Sequence, residues 1–147
     1  MNINEAFDFF KNLITDTDEK SEIRICQKFI AILSDLKNRD LTEKQFQSIT
    51  EELDTLQLKA NSENRKKHLK QKLSLFIKFL KDEFSLISEG YYTALGISLG
   101  LAFGTAFGSI FGMGIGISFG MIIGLIIGAN MDSEAKKQNR VLKTKLN

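Results

Sequence analysis

Between Gly90 and Met131 the chain runs for 42 residues without an Asp, Glu, Lys, Arg or His, and inside that stretch a glycine recurs at every fourth position from Gly96 to Gly128. Nine of the eleven glycines fall in this register, and the positions between them are filled mostly by Ile, Leu, Phe and Met. A flexible linker would be polar and serine-rich, which this stretch is not. As a helix in water it would lose roughly 9 kcal/mol against alanine, at about 1 kcal/mol per interior glycine. Hydrocarbon changes the comparison, because backbone groups there must be bonded internally and a helix does so within one segment. The block therefore reads as membrane-embedded helix. Its 42 residues as one helix would be about 63 Å long, against a hydrocarbon core of about 30 Å. Two spans of about twenty residues fit, with a turn near "FGMGIG", where Gly112, Gly114 and Gly116 crowd together.

Charge on either side of the block agrees with this. The whole chain is nearly neutral, at +2, but the charge is uneven. Met1 to Asn64 holds 8 Lys/Arg against 13 Asp/Glu; Arg65 to Glu89 holds 7 against 3; the tail from Asp132 holds 5 against 2. Basic flanks at both ends of the block predict that both lie on the cytoplasmic side, which requires an even number of crossings. Tyr91 and Tyr92 stand where an interfacial aromatic belt would put them, and Lys78, Lys81, Lys136, Lys137 and Arg140 suit an anionic lipid surface. No nucleic acid partner is expected, since phosphate binding wants a concentrated basic face.

The first 89 residues contain no glycine and no proline, and their apolar residues follow helical spacing. Ile3, Ala6, Phe7, Phe10, Leu13 and Ile14 make one stripe, ended by "TDTD". Ile23, Cys26, Phe29, Ile30, Leu33 and Leu36 make a second, ended by "KNRD". A third helix starts at Thr42, with Gln45 completing a capping box and Leu41 and Phe46 placed as a hydrophobic staple. Phe46, Ile49, Leu53 and Leu56 form its expected buried face. After "ANSEN", a fourth helix carries Leu69, Leu73, Phe76, Ile77, Leu80, Phe84 and Ile87. Four amphipathic helices with short connections predict a bundle. The first residues lack a basic segment leading into an apolar core, so no cleaved signal is expected and the bundle is placed in the cytoplasm. The predicted fold is all-α: a soluble helical bundle over residues 1–89, a two-helix transmembrane hairpin over 90–131 and a basic cytoplasmic tail over 132–147.

Chemistry is hard to assemble from this chain. Cys26 is the sole cysteine and sits among apolar helix positions, where it reads as core. The single histidine, His68, lies in "RKKHLKQK" and reads as part of a solvated basic face. Glu51, Glu52 and Asp54 read as surface charge. No nucleophile triad, phosphate loop or Cys/His metal spacing is present in the sequence, so no catalytic residue, metal ligand, cofactor or enzymatic activity is expected.

The glycine period has a geometric meaning. Four residues advance a helix by about 400°, so successive glycines drift by about 40°, and four of them stay on one broad face. Each half of the block thus presents one smooth face, Gly96, Gly100, Gly104 and Gly108 on the first and Gly116, Gly120, Gly124 and Gly128 on the second, with Gly112 between. Such faces let helix backbones approach closely in a membrane. The repeated G-x-x-x-G, with the closing "GANMDSEAKKQNRVL", resembles bacterial glycine-zipper membrane proteins over about residues 90–142. That resemblance implies close helix association in a bilayer, in some members as an oligomeric pore or a membrane-disrupting element, and carries no catalytic residues. The expectation is a self-associating protein of the bacterial inner membrane that permeabilises it as an effector of a toxin or antiviral system, controlled by the bundle. The alternative is a membrane-anchored adaptor or immunity protein whose bundle binds a protein partner. The expected partners are the bilayer, further copies of the chain and a cytoplasmic protein.

Overall fold

The computed structural model describes residues 1–58 and 64–143, with Phe111 described by its backbone alone. It is all-α, with six helices among the described residues: α1 (Ile3–Thr15), α2 (Lys20–Lys37), α3 (Glu43–Thr55), α4 (Arg65–Phe84), α5 (Tyr91–Phe111) and α6 (Met113–Lys137). Two-residue strands β1 (Ile87–Ser88) and β2 (Val141–Leu142) form the one sheet among the described residues. The chain divides into two compact units, one drawing on Met1–Leu86 and the chain from Leu142, the other on Ile87–Val141.

The first unit is held by stripes of apolar residues that meet in one core. Phe10 of α1 stacks on Phe29 of α2 with ring centroids 4.1 Å apart, and Phe29 stacks in turn on Phe76 of α4 at 6.1 Å. Ile49, Leu53 and Leu56 enter from α3 and its end, Leu69, Leu73 and Leu80 from α4, and Cys26, Leu33 and Leu36 from α2. Leu142 is buried in the same core, and the Lys143 amide lies 3.5 Å from the Asp35 carboxylate. Two acids are buried with partners. Glu22 accepts from the Thr17 hydroxyl and from Arg65, whose nitrogen lies 2.8 Å away, and Asp35 accepts from Arg39 at 2.9 Å. Burial of a carboxylate is tolerable only when it is paired and bonded in this way.

The helix starts have local causes. Thr42 and Gln45 form the expected capping box, and Asn2 and Glu5 form a second at α1. The break expected at "ANSEN" covers residues 60–64, of which only Asn64 is described; it caps α4 by accepting from the Lys67 amide.

Three expectations are corrected. Phe46 stands 43% exposed, because the buried face of α3 is the i, i+4, i+7 row of Ile49, Leu53 and Leu56, and Phe46 lies one turn short of it. Ile87 is not on the fourth helix: Ser85 takes a left-handed conformation, φ 54°, that ends α4, and Ile87 lies in β1. His68 is half-buried, its Nε2 shielded and without a hydrogen-bond partner among the described residues. Around it Arg65, Lys66, Lys67, Lys70 and Gln71 are exposed.

A candidate helix-packing site

The second unit is built on α5 and α6, both long and apolar enough to cross a membrane. The turn between them is a single residue. Gly112 ends α5 and begins α6 with φ 99° and ψ 130°, a conformation that residues with a Cβ rarely adopt. Of the glycines expected at the turn, Gly114 has open space around it and Gly116 lies within α6, facing Gly104 and Gly108.

The helices run antiparallel and meet along their glycines: Gly96 opposite Gly124, Gly100 opposite Gly120, Gly104 opposite Gly116, with Gly128 against the backbone of Tyr92 and Thr93, and Gly108 against Met113. A Cβ placed on Gly104 would lie 2.6 Å from the Gly116 carbonyl oxygen, and one on Gly116 would lie 2.5 Å from the Gly104 oxygen. Backbone touches backbone across the pair. The surface that sequence reasoning offered to other helices is met here by the other half of the same pair. Gly112 keeps the four-residue register while making the turn, so the period passes through it without a miss.

The pairing has an internal symmetry. "GISLGLAFG" from Gly96 matches "GISFGMIIG" from Gly116, so each α5 position corresponds to an α6 position twenty residues on. Gly100 and Gly120, related by that shift, also face each other, and Gly96 faces Gly124 as Gly104 faces Gly116. A pseudo-two-fold axis therefore passes between Gly100 and Gly120. On one side of the pair, the residues just before the glycines rise as two walls over a glycine floor, enclosing a groove of about 610 Å³. Every lining residue is Gly, Leu, Ile or Phe.

The hydroxyl groups in the middle of the two helices stay with their own backbones. Ser98 donates to the Ala94 carbonyl, Thr105 to Ala102, Ser109 to Ala106 and Ser118 to Gly114, each at 2.8 Å. This is the usual resort of Ser and Thr in apolar helices.

One functional side chain escaped the sequence reading. Gly90 starts α5 without a side-chain cap. Asp132 of α6 supplies it, accepting from the Tyr92 amide at 3.0 Å, the Thr93 amide at 2.9 Å and the Thr93 hydroxyl at 2.6 Å. A carboxylate suits the positive end of a helix, whose first amides lack partners. The signal was slight: Asp132 is the first acid after the apolar block, one helical turn beyond Gly128, which packs on Tyr92 and Thr93. Because α6 continues to Lys137, residues 132–137, expected in a tail, are helical.

The expected membrane-interface residues are spread over both units. Tyr91 and Tyr92 are half-buried at the start of α5, their rings edge to face at 5.3 Å. Lys136 pairs with Glu89 at 3.6 Å, and Lys137 with Glu134 at 3.6 Å, all exposed. Arg140 is half-buried, and its carbonyl accepts from the Ile87 amide at 2.9 Å. Lys78 and Lys81 lie on α4, in the first unit, with Lys81 3.5 Å from Asp82. No cluster of three or more His, Cys, Asp or Glu suited to a metal occurs among the described residues.

The fold and this site define a class: an all-α protein with a pair of long apolar helices joined backbone to backbone at glycine. In comparisons with known proteins, no protein family, no curated protein and no solved structure matches the chain.

Proposed function

We propose that α5 and α6 form a transmembrane hairpin that self-associates in a bacterial inner membrane and permeabilises it, as an effector of a toxin or antiviral system, with α1–α4 as a cytoplasmic bundle that controls assembly. The observation that carries this reading is the unlike outer edges of the two helices. Ser98, Ala102, Thr105 and Ser109 share one exposed edge of α5, at i, i+4, i+7 and i+11, roughly opposite the glycines. The corresponding positions on α6 are Ser118, Ile122, Leu125 and Ala129, of which Ile122 and Leu125 are 57% and 48% exposed. In lipid, small and hydroxyl-bearing faces are the ones helices use to meet one another, while large aliphatic side chains suit acyl chains. The α5 edge then faces the interior of an assembly and the α6 edge faces lipid. Placement of both ends of the hairpin on one side is supported by Leu142, which returns to the core of the first unit.

The test is release of dye from liposomes carrying the purified full-length protein. Release should scale with oligomer formed and should fall when Ala102 is replaced by Leu on the α5 edge. Tight vesicles that contain inserted oligomer would refute permeabilisation.

A second reading is favoured by a separate observation. Ser98, Thr105, Ser109 and Ser118, the hydroxyls along the middle of the hairpin, are each bonded to a carbonyl of their own helix, so none of these four is left seeking water. In that reading the hairpin anchors an adaptor or immunity protein, whose bundle binds a protein partner, and the same liposomes stay tight.

A further inference from the structure

We infer that the glycine-floored groove between α5 and α6 is the seat for a helix of a second copy of this chain. The inference rests on the self-association proposed above and names the face that performs it. Three features select this occupant. The groove, about 610 Å³ in volume, contains no polar side chain, so nothing in it would hold a headgroup or a charged peptide. Its walls are rows at spacing four, Leu99, Phe103 and Phe107 on α5 and Ile115, Phe119 and Ile123 on α6. A row of this spacing packs into a groove between rows of the same spacing, and the chain's own apolar helices carry such rows. The pseudo-two-fold gives the two walls the same spacing, with Phe103 and Phe107 of α5 matched by Ile123 and Ile127 of α6, so a helix of a second copy meets rows of spacing four whichever way it runs.

The area is of the right order as well. Phe103, Phe107 and Phe119, which line the groove, are 61%, 58% and 65% exposed. At roughly 150–250 Å² for each ring, these three alone offer on the order of 300–450 Å². The aliphatic walls, each about half exposed or more, bring one face toward the about 800 Å² per partner of a specific interface. The groove lies on the flank of the hairpin, so a copy seated there leaves the α5 edge of Ser98, Ala102, Thr105 and Ser109 free to face the interior of the assembly.

Photocrosslinking of the full-length protein in liposomes tests this. p-Benzoylphenylalanine is incorporated in place of Phe103, in the groove, or in place of Ile122, on the outer edge of α6, and adducts are weighed after illumination while native mass spectrometry reports the oligomer. The expected result is a protein–protein adduct at position 103 at several times its yield at position 122, where lipid adducts dominate. Lipid adducts alone at 103, in protein that native mass spectrometry finds oligomeric, would overturn the groove as the seat and leave self-association standing. Monomer by mass with lipid adducts at both positions would overturn self-association itself.

Discussion

Replacing Gly104 by alanine adds one methyl group where two backbones already touch. The new Cβ would lie 2.6 Å from the Gly116 carbonyl oxygen and 2.9 Å from the Ile117 Cα. Carbon–oxygen contacts between packed helices sit at about 3.3–3.6 Å, so α5 and α6 must part locally by about 1 Å. The obstructing atoms are backbone, and no rotamer change relieves them. Overpacking of this kind costs about 1–3 kcal/mol, and the better helix propensity of alanine returns about 1 kcal/mol. The net loss is then up to about 2 kcal/mol, a factor of up to about 30 in the folding equilibrium. Gly114 provides the control, being helical with nothing within 4 Å of an added Cβ; Gly114→Ala keeps the propensity gain without the clash. Both variants are unfolded with sodium dodecyl sulfate from mixed micelles, while spin labels on α5 and α6 report their separation. Gly104→Ala should unfold at lower detergent fraction with the helices further apart, and Gly114→Ala should not. Equal midpoints for Gly104→Ala and wild type, or equal shifts in the two variants, would refute the close-contact account. Gly104→Leu, which sequence reasoning would use against self-association, acts first on the hairpin in this structure.

Asp132→Ala removes three bonds at the start of α5 and should cost about 0.5–2 kcal/mol, as loss of a helix cap does; faster amide exchange at Tyr92 and Thr93 checks it, with Asp132→Asn intermediate. Burial, aided by the Glu22 charge, pushes the Cys26 thiol up to about 11, against about 8.5 in an unfolded chain. Its contribution to stability is therefore whole below about pH 8.5 and lost as pH rises toward about 11; a steeper alkaline fall in the wild type than in Cys26→Ala measures it, and the native thiol should resist maleimide at pH near neutrality. Reporter fusions at the two termini should both give the cytoplasmic signal, and a periplasmic signal from the C-terminal fusion alone would mean one crossing.

The charge-free block and its glycine period were enough to derive two apolar helices with packing faces, because length against bilayer thickness and the angular step of a helix are local quantities. The caps at Thr42 and the stripes of α1, α2 and α4 were legible for the same reason: neighbours at three and four residues determine them. What met the glycines was not a local matter. The sequence allowed them to face any helix, and only the one-residue turn at Gly112, holding α5 against α6, assigned them to each other. The Asp132 cap, forty residues from the amide it serves, and the return of Leu142 to the core of the first unit had to wait for that turn. Phe46 shows the converse, since its spacing was right and its exposure depended on where α3 ran out of neighbours. Periodicity determines which side of a helix is apolar or small; which surface covers that side is a property of the chain's path, which only the tertiary structure decides.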